Sequence, residues 1–223
     1  MEEIENKYVA FCDILGFSNS VTNEFDSLIT GYKEFRDEIN KYDFLKVKIS
    51  IYSDSIIIVS DNLMHIAEAL QILLMTLLRY NWIVRGGIAY GKHWKESDNN
   101  NLYVVSEALV KAVNIEKTIK HPIIVVSSEI DLGLEYWIHG STRRVFDLPI
   151  IHYNDLNIVN PFNNYWFLSA QTRLLKLKEE HMEHAHKYDY LLELAEAIND
   201  SRTFVPDTII QFLLKEGEIK KND

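Results

Sequence analysis

Tyr8–Phe17 reads YVAFCDILGF, and Lys48–Ser60 reads KISIYSDSIIIVS. Each is an apolar run of the kind that fills a buried strand, and each is interrupted by one carboxylate, Asp13 in the first and Asp54 in the second. A buried carboxylate without a partner is costly, or it takes up a proton. A divalent cation is one such partner. Two aspartates of this kind on neighbouring strands would offer hard oxygen donors to Mg²⁺ or Mn²⁺ and leave positions open for phosphate. Either aspartate alone is as well explained as a turn or helix cap. Two together, each set in a long apolar run, favour the metal reading.

Working outward, Tyr8–Asp13 is a strand that Gly16 ends. The spacing of Val21, Phe25, Leu28, Ile29, Tyr32, Phe35 and Ile39 predicts a helix over Ser18–Tyr42. Val47–Ser53 and Ile56–Ser60 read as strands joined by a tight hairpin at Ser53-Asp54-Ser55. Asp61 or Asn62 caps a helix running to about Tyr80. Ile83–Tyr90 is a further strand, Asp98–Asn101 a loop, Val105–Lys120 a helix stopped by Pro122, and Ile123–Ser127 a strand. The order β-α-β-β-α-β, continued by α-β, predicts an α+β fold with a ferredoxin-like βαββαβ core and an extra αβ unit. Beyond it, Tyr136–Ile138 and Arg144–Phe146 read as short strands. Gln171–Ile198 reads as one long polar helix, and Pro206–Glu216 as a terminal helix before a solvated tail. The expected division is a core domain over 1–160 and a helical C-terminal extension over 161–223 packed on it, with Phe162–Trp166 at the seam.

The totals narrow the function. With 223 residues the chain can bury a full core. A formal net charge of −10 argues against a nucleic-acid partner, which needs a basic surface. It leaves room for a nucleotide, because one metal and one or two cationic side chains invert the field locally. The lone Cys12 suits a reducing compartment. The acidic start, MEEIENKY, is unlike a signal peptide, and the apolar stretch Ile66–Leu78 is too short to span a bilayer. The expectation is a cytoplasmic protein that does not enter a membrane.

Arg85, in VRGGIAYG, is an arginine within an otherwise apolar strand. Its planar fork suits a phosphate, and the glycines after it would let a polyphosphate or a partner strand approach. The plainer reading is an edge-strand arginine paired with an acid.

Taken in order, these pieces resemble class III nucleotidyl cyclases. FCDILGF resembles their F-x-D-I-x-G-F, Ser53-Asp54-Ser55 stands where their hairpin G-D stands, and RGGIAYG (Arg85–Gly91) resembles their R-x-G-I-x-x-G. The likeness covers roughly residues 8–127. The spellings AFCDILGF, YSDSIII, RGGIAYG, ALVKAVNIEK and HPIIVVS are similar to the pyrimidine (uridylate and cytidylate) cyclases of bacterial Pycsar anti-phage systems. The resemblance implies the class III catalytic fold and a head-to-tail homodimer with active sites at the interface. It implies a two-metal site of Mn²⁺ or Mg²⁺ held by Asp13, Asp54 and the backbone carbonyl of Ile14. It implies that Arg85 holds the triphosphate, with Phe17 among the substrate-binding residues. The reaction implied is attack of the ribose 3′-hydroxyl on the α-phosphorus with loss of pyrophosphate, and the cyclic product would act on a separate effector.

The departures from the family pattern concern the base and the transition state. Ser50 stands where purine cyclases carry a base-reading Lys or Glu. Tyr103 stands at the second base-reading position when Ser106 is aligned with the family glycine, and Tyr52 is another candidate wall. Serine and tyrosine there favour a pyrimidine without choosing uracil over cytosine; the expected substrate is UTP, with CTP the alternative. In the same alignment Val110 replaces an asparagine and Asn114 replaces the transition-state arginine. Asn114 would donate a neutral hydrogen bond to the α-phosphate, and Lys111 or Lys117 would supply charge; equally, these are solvated helix surface. That leaves two readings, a pyrimidine cyclase or a catalytically weak cyclase-fold binding module. His181, His184 and His186, in EEHMEHAH, read as an exposed helix face, because the third points away from the other two.

Overall fold

Strand β1 (Glu5–Leu15) carries Asp13 and sits inside one mixed sheet, flanked on both sides by antiparallel partners. A computed structural model describes residues 4–99, 101–200 and 204–217 of the chain. After β1, Gly16 takes a left-handed φ of +80° and turns the chain into helices α1 (Phe17–Asn23) and α2 (Phe25–Ile39). The single helix expected over Ser18–Tyr42 is therefore two, divided at Glu24. Strands β2 (Lys48–Tyr52) and β3 (Ser55–Ser60) form the expected hairpin. Helix α3 (Leu63–Arg79) follows, and Asn62, not Asp61, is its cap, accepting the Met64 N–H. Strand β4 (Ile83–Asp98) pairs with β1 along the whole of β1. The four strands lie in the order β2-β3-β1-β4, all antiparallel, which is the ferredoxin-like βαββαβ arrangement.

Strand β4 runs far past the expected Tyr90. It continues as a two-stranded ribbon with β5 (Asn101–Ser106), a strand not anticipated in the sequence, so helix α4 starts at Glu107 and ends at Thr118 (Glu107–Thr118). Ser106 caps it by accepting the Leu109 N–H at 3.0 Å. Strand β6 (Ile124–Val126) joins β4 in parallel.

The next segment corrects the sequence reading. Tyr136–Ile138 lies in helix α5 (Leu134–Ser141), and Arg144–Phe146 is not a strand: Val145–Asp147 is a 3₁₀ turn. The strands here are β7 (Ile150–Tyr153) and β8 (Leu156–Val159), which extend the sheet to eight strands. The long polar helix is likewise two, α6 (Phe167–Glu180) and α7 (His186–Asn199), folded back on each other at His181–Ala185. Helix α8 (Asp207–Glu216) ends at Gly217 (φ +76°), and the solvated tail expected after it lies outside the described residues.

Two apolar cores follow from this. One joins Ala10, Cys12, Ile14, Ile56 and Ile58 on one sheet face to α2 and α3. The other joins Ile83, Val125, Ile151 and Ile158 to α6 and α7, with Phe162 fully buried within it. No helix among the described residues is long and apolar enough to cross a membrane.

Candidate metal and phosphate site

Alternation along β1 sends Ala10, Cys12 and Ile14 into the first core, so Phe11 and Asp13 face the other side of the sheet. Directly opposed residues of paired strands share a face. The register therefore sets Tyr52, Ser55, Asp13 and Arg85 in one row across β2-β3-β1-β4, and Ser50, Ile57, Phe11 and Gly87 in the next.

Asp54 occupies the turn at the end of this row. Ser53, just before it, has φ +58°, a left-handed conformation seldom taken by serine. Two hydrogen bonds hold the turn: the Tyr32 hydroxyl donates to the Ser53 carbonyl at 2.7 Å, and the Ile14 N–H donates to the Asp54 carbonyl at 3.0 Å. In an antiparallel ladder a residue's N–H and C=O face the same neighbouring strand, so the Ile14 carbonyl is also turned toward the hairpin. Burial and the Asp54 charge push the Tyr32 pKa up, which keeps it a donor.

Asp13 is half-buried. Desolvation foremost, then the charges of Asp54 and Glu116, raise its pKa above the ordinary carboxylate range, and the Arg85 guanidinium opposes them. Two carboxylates that repel each other, beside a main-chain carbonyl, form an all-oxygen donor set that a hard divalent cation would relieve. These residues therefore fit Mg²⁺ or Mn²⁺.

Arg85 is already engaged. Its Nε donates to Glu116 Oε1 at 2.6 Å, its Nη2 lies 2.5 Å from the same oxygen, and its Nη1 donates to the Ile119 carbonyl at 3.3 Å. Asp13 Oδ2 lies 3.8 Å from Nη2. Arg85 thus stands between Asp13 and Glu116, an almost fully buried residue of α4. The glycines after Arg85 admit a helix and a strand, not a polyphosphate. A Cβ on Gly87 would lie 2.6 Å from the Ala112 carbonyl oxygen in α4, and one on Gly86 would lie 2.6 Å from the Phe11 carbonyl oxygen in β1.

The other expected residues are dispersed. Ser50 and Tyr52 line an open cleft of about 990 Å³ above the β2-β3-β1 face, walled by the β4–β5 ribbon. On that ribbon Lys95, Ser97, Leu102 and Val104 line the cleft. Tyr103 alternates with them and pairs with Glu96, on the opposite face. Phe17 is packed in the first core. Lys111 is held by Glu129 at 2.8 Å and Glu107 at 3.1 Å. Asn114 and Val110 lie on the exposed side of α4, opposite Ala108, Ala112 and Glu116. Lys117 is exposed as well. His181, His184 and His186 sit exposed at the break between α6 and α7, and among the described residues no group of three or more His, Cys, Asp or Glu side chains is placed to hold a metal.

Sequence reasoning missed Tyr32 and Glu116. The signal for Glu116 was available: it is the one acid among Ala108, Ala112, Ile115 and Ile119, the residues that form the sheet-facing stripe of α4.

No protein-family model matches the chain, and no curated protein matches it. Among solved structures, it is similar to the adenylyl cyclase CyaB from P. aeruginosa, at 16% identity over 57% of this chain and 79% of that one, with a TM-score of 0.43. It is similar to the guanylyl cyclase domain of the RhoGC fusion protein from the aquatic fungus Blastocladiella emersonii, at 20% identity over 56% and 80%, TM-score 0.43. It is also similar to a bacterial light-regulated adenylyl cyclase, at 12% identity over 78% and 99%, TM-score 0.45.

Proposed function

We propose that the chain is a metal-dependent nucleotidyl cyclase. Its substrate would be a pyrimidine nucleoside triphosphate, UTP in preference to CTP, and its products the 3′,5′-cyclic nucleotide and pyrophosphate. The observation that carries this reading is the meeting of Asp13, Asp54 and the Ile14 backbone at one end of an open sheet face, with Arg85 in the same row. Asp13, Asp54 and the Ile14 carbonyl would hold Mn²⁺ or Mg²⁺. When bound, the ions would make the ribose 3′-hydroxyl more acidic and neutralise charge on the departing pyrophosphate. Arg85 adds a fixed positive charge beside the carboxylates, kept in place by Glu116. Ser50 and Tyr52 offer the base a small hydroxyl and an aromatic wall in place of a long charged reader.

Asn114, Lys111 and Tyr103 face away from the Asp13–Asp54 end of their own copy. Their assignment as catalytic and base-contacting residues therefore goes with a homodimer in which they serve the partner's site. The exposed apolar stretch of β5, Leu102 to Val105, together with Val110, supplies surface for such a pairing. In this reading the cyclic product is a second messenger for a separate effector in a cytoplasmic anti-phage response, a role supported by the resemblance of the motifs. The test is incubation of purified protein with each nucleoside triphosphate and Mn²⁺. A cyclic pyrimidine product is expected, and no cyclic product from any of the four would overturn the proposal.

The capture of Arg85 by Glu116 and the asparagine at 114 favour a second reading, a cyclase-fold module that holds a nucleotide or a protein partner without turnover. Asp54→Ala separates the two. It abolishes turnover in the first and leaves partner binding intact in the second.

A further inference from the structure

The end of the cleft away from Asp13 has a different chemistry. Lys46, Lys48, Lys95 and His93 line it together with Lys7, in a chain whose net charge is −10. Lys7 is neutralised by Glu5 and Asp61. Lys46, Lys48 and Lys95 have no ion-pair partner among the described residues. His93 is more than nine-tenths buried, and its Nδ1 is buried without a hydrogen-bond partner. Its burial and the positive charges of Lys7, Lys95 and Lys48 all disfavour the imidazolium, and Glu5 alone opposes them. Cations on β2 and β4, on opposite sides of β1, thus act on one orphaned imidazole in a cleft of about 990 Å³. That volume is at the upper end of small-molecule sites. Val9, Ile57, Val59 and Val104 give the same cleft an apolar floor and wall.

We propose that Lys46, Lys48, Lys95 and His93 form a phosphate-binding subsite, separate from the Asp13–Asp54 end, for a phosphorylated ligand whose apolar part rests on the sheet. The lysines supply the charge, and His93 lines the cleft beside them. The Lys48–Val59–Val9 row lies four residues from Asp13, about 14 Å at the rise of a β-strand. That is several times the spacing between neighbouring phosphates, so one triphosphate does not place its phosphates at both ends of the same copy. The phosphate group comes either from a nucleotide bound across two copies or from a separate phosphorylated effector. The first source rests on the function proposed above; the second does not.

The experiment is titration of the metal-free full-length protein with pyrophosphate, followed through the His93 imidazole resonances, with His93→Gln assigning them. A saturable shift is expected. Lys48→Ala and Lys95→Ala, both changes to side chains with no ion-pair partner among the described residues, each weaken it roughly tenfold. Asp54→Ala leaves the titration unchanged, so failure of the cyclase reading would not remove this signal. Absence of a saturable shift at millimolar pyrophosphate, or an affinity in both lysine variants equal to that of the parent, overturns the proposal. Steady-state turnover then identifies the source: a raised KM for the nucleotide in the lysine variants marks the substrate, and an unchanged KM marks a separate effector.

Discussion

Asp13 carries a conflict that its neighbours only partly resolve. Burial, Asp54 and Glu116 all disfavour its charge, and the one opposing cation, Arg85, is shared with Glu116 at closer range. A carboxylate whose folded pKa is raised adds stability that is complete below the unfolded value, about 3.9, and is lost as pH rises through the folded value. The metal-free protein should therefore lose this contribution on going from acid to neutral pH. Asp13→Asn should melt higher than the parent at neutral pH without metal, while losing metal-dependent turnover. Added Mn²⁺ should raise the melting temperature of the parent and not that of the variant. Thermal melts of both proteins, with and without Mn²⁺, check this, and a variant that melts lower in the absence of metal would refute it. At this scale the sequence exposed the two aspartates, because a charge in an apolar run stands out. It did not expose Glu116 as the partner of Arg85: the two are 31 positions apart and meet only through packing of α4 on β4.

That packing depends on Gly87. A methyl group there would lie 2.6 Å from the Ala112 carbonyl oxygen and 2.7 Å from Ile115 Cβ, so either the helix or the strand must shift. Gly87→Ala should cost about 1–3 kcal/mol of stability. At roughly 2–4 °C per kcal/mol for a chain of this size, that lowers the melting temperature by several degrees. Because the same shift moves Glu116 away from Arg85, affinity for nucleotide should change too, whereas a surface change such as Lys120→Ala should alter neither. The elements were legible where burial is one-sided or complete: β1, the β2–β3 hairpin, α3 and β6 all announce themselves by apolar pattern. The outer half of β4 did not. His93–Asp98 is mostly polar and carries no strand-like apolar pattern, yet pairing with β5 holds it as a ribbon. The α6–α7 break was hidden in the charge-rich stretch Lys176–Asp189, and α5 by Tyr136-Trp137-Ile138, whose aromatic and β-branched residues suggest a strand. The segment is a helix entered from Gly133 at φ +79°, with Trp137 buried on its inner side.

Across the whole molecule, the residues assigned to one reaction are split between two surfaces. Asp13, Asp54 and Arg85 sit at the end of the open sheet face, and Asn114 projects from the outer side of α4. If a site combines the first set from one copy with Asn114 from another, defects in the two sets must complement. In a two-fold dimer of Asp54→Ala with Asn114→Ala, one site receives both lesions and the other receives neither. Each variant alone should be inactive or nearly so. Mixed in equal amounts and allowed to exchange, half of the dimers are mixed and each holds one intact site, so activity should return to about one quarter of the parent value. A single-copy site gives no recovery, because every copy then carries one lesion. Val105→Lys, which sets a charge on the most exposed apolar position of β5, should suppress the recovery by weakening the pairing. Light scattering on the same samples distinguishes loss of the dimer from loss of chemistry. Recovery that depends on copy exchange and disappears with the dimer would require a shared site. Its absence from a mixture that is still dimeric would return Asn114 to the solvated surface of α4.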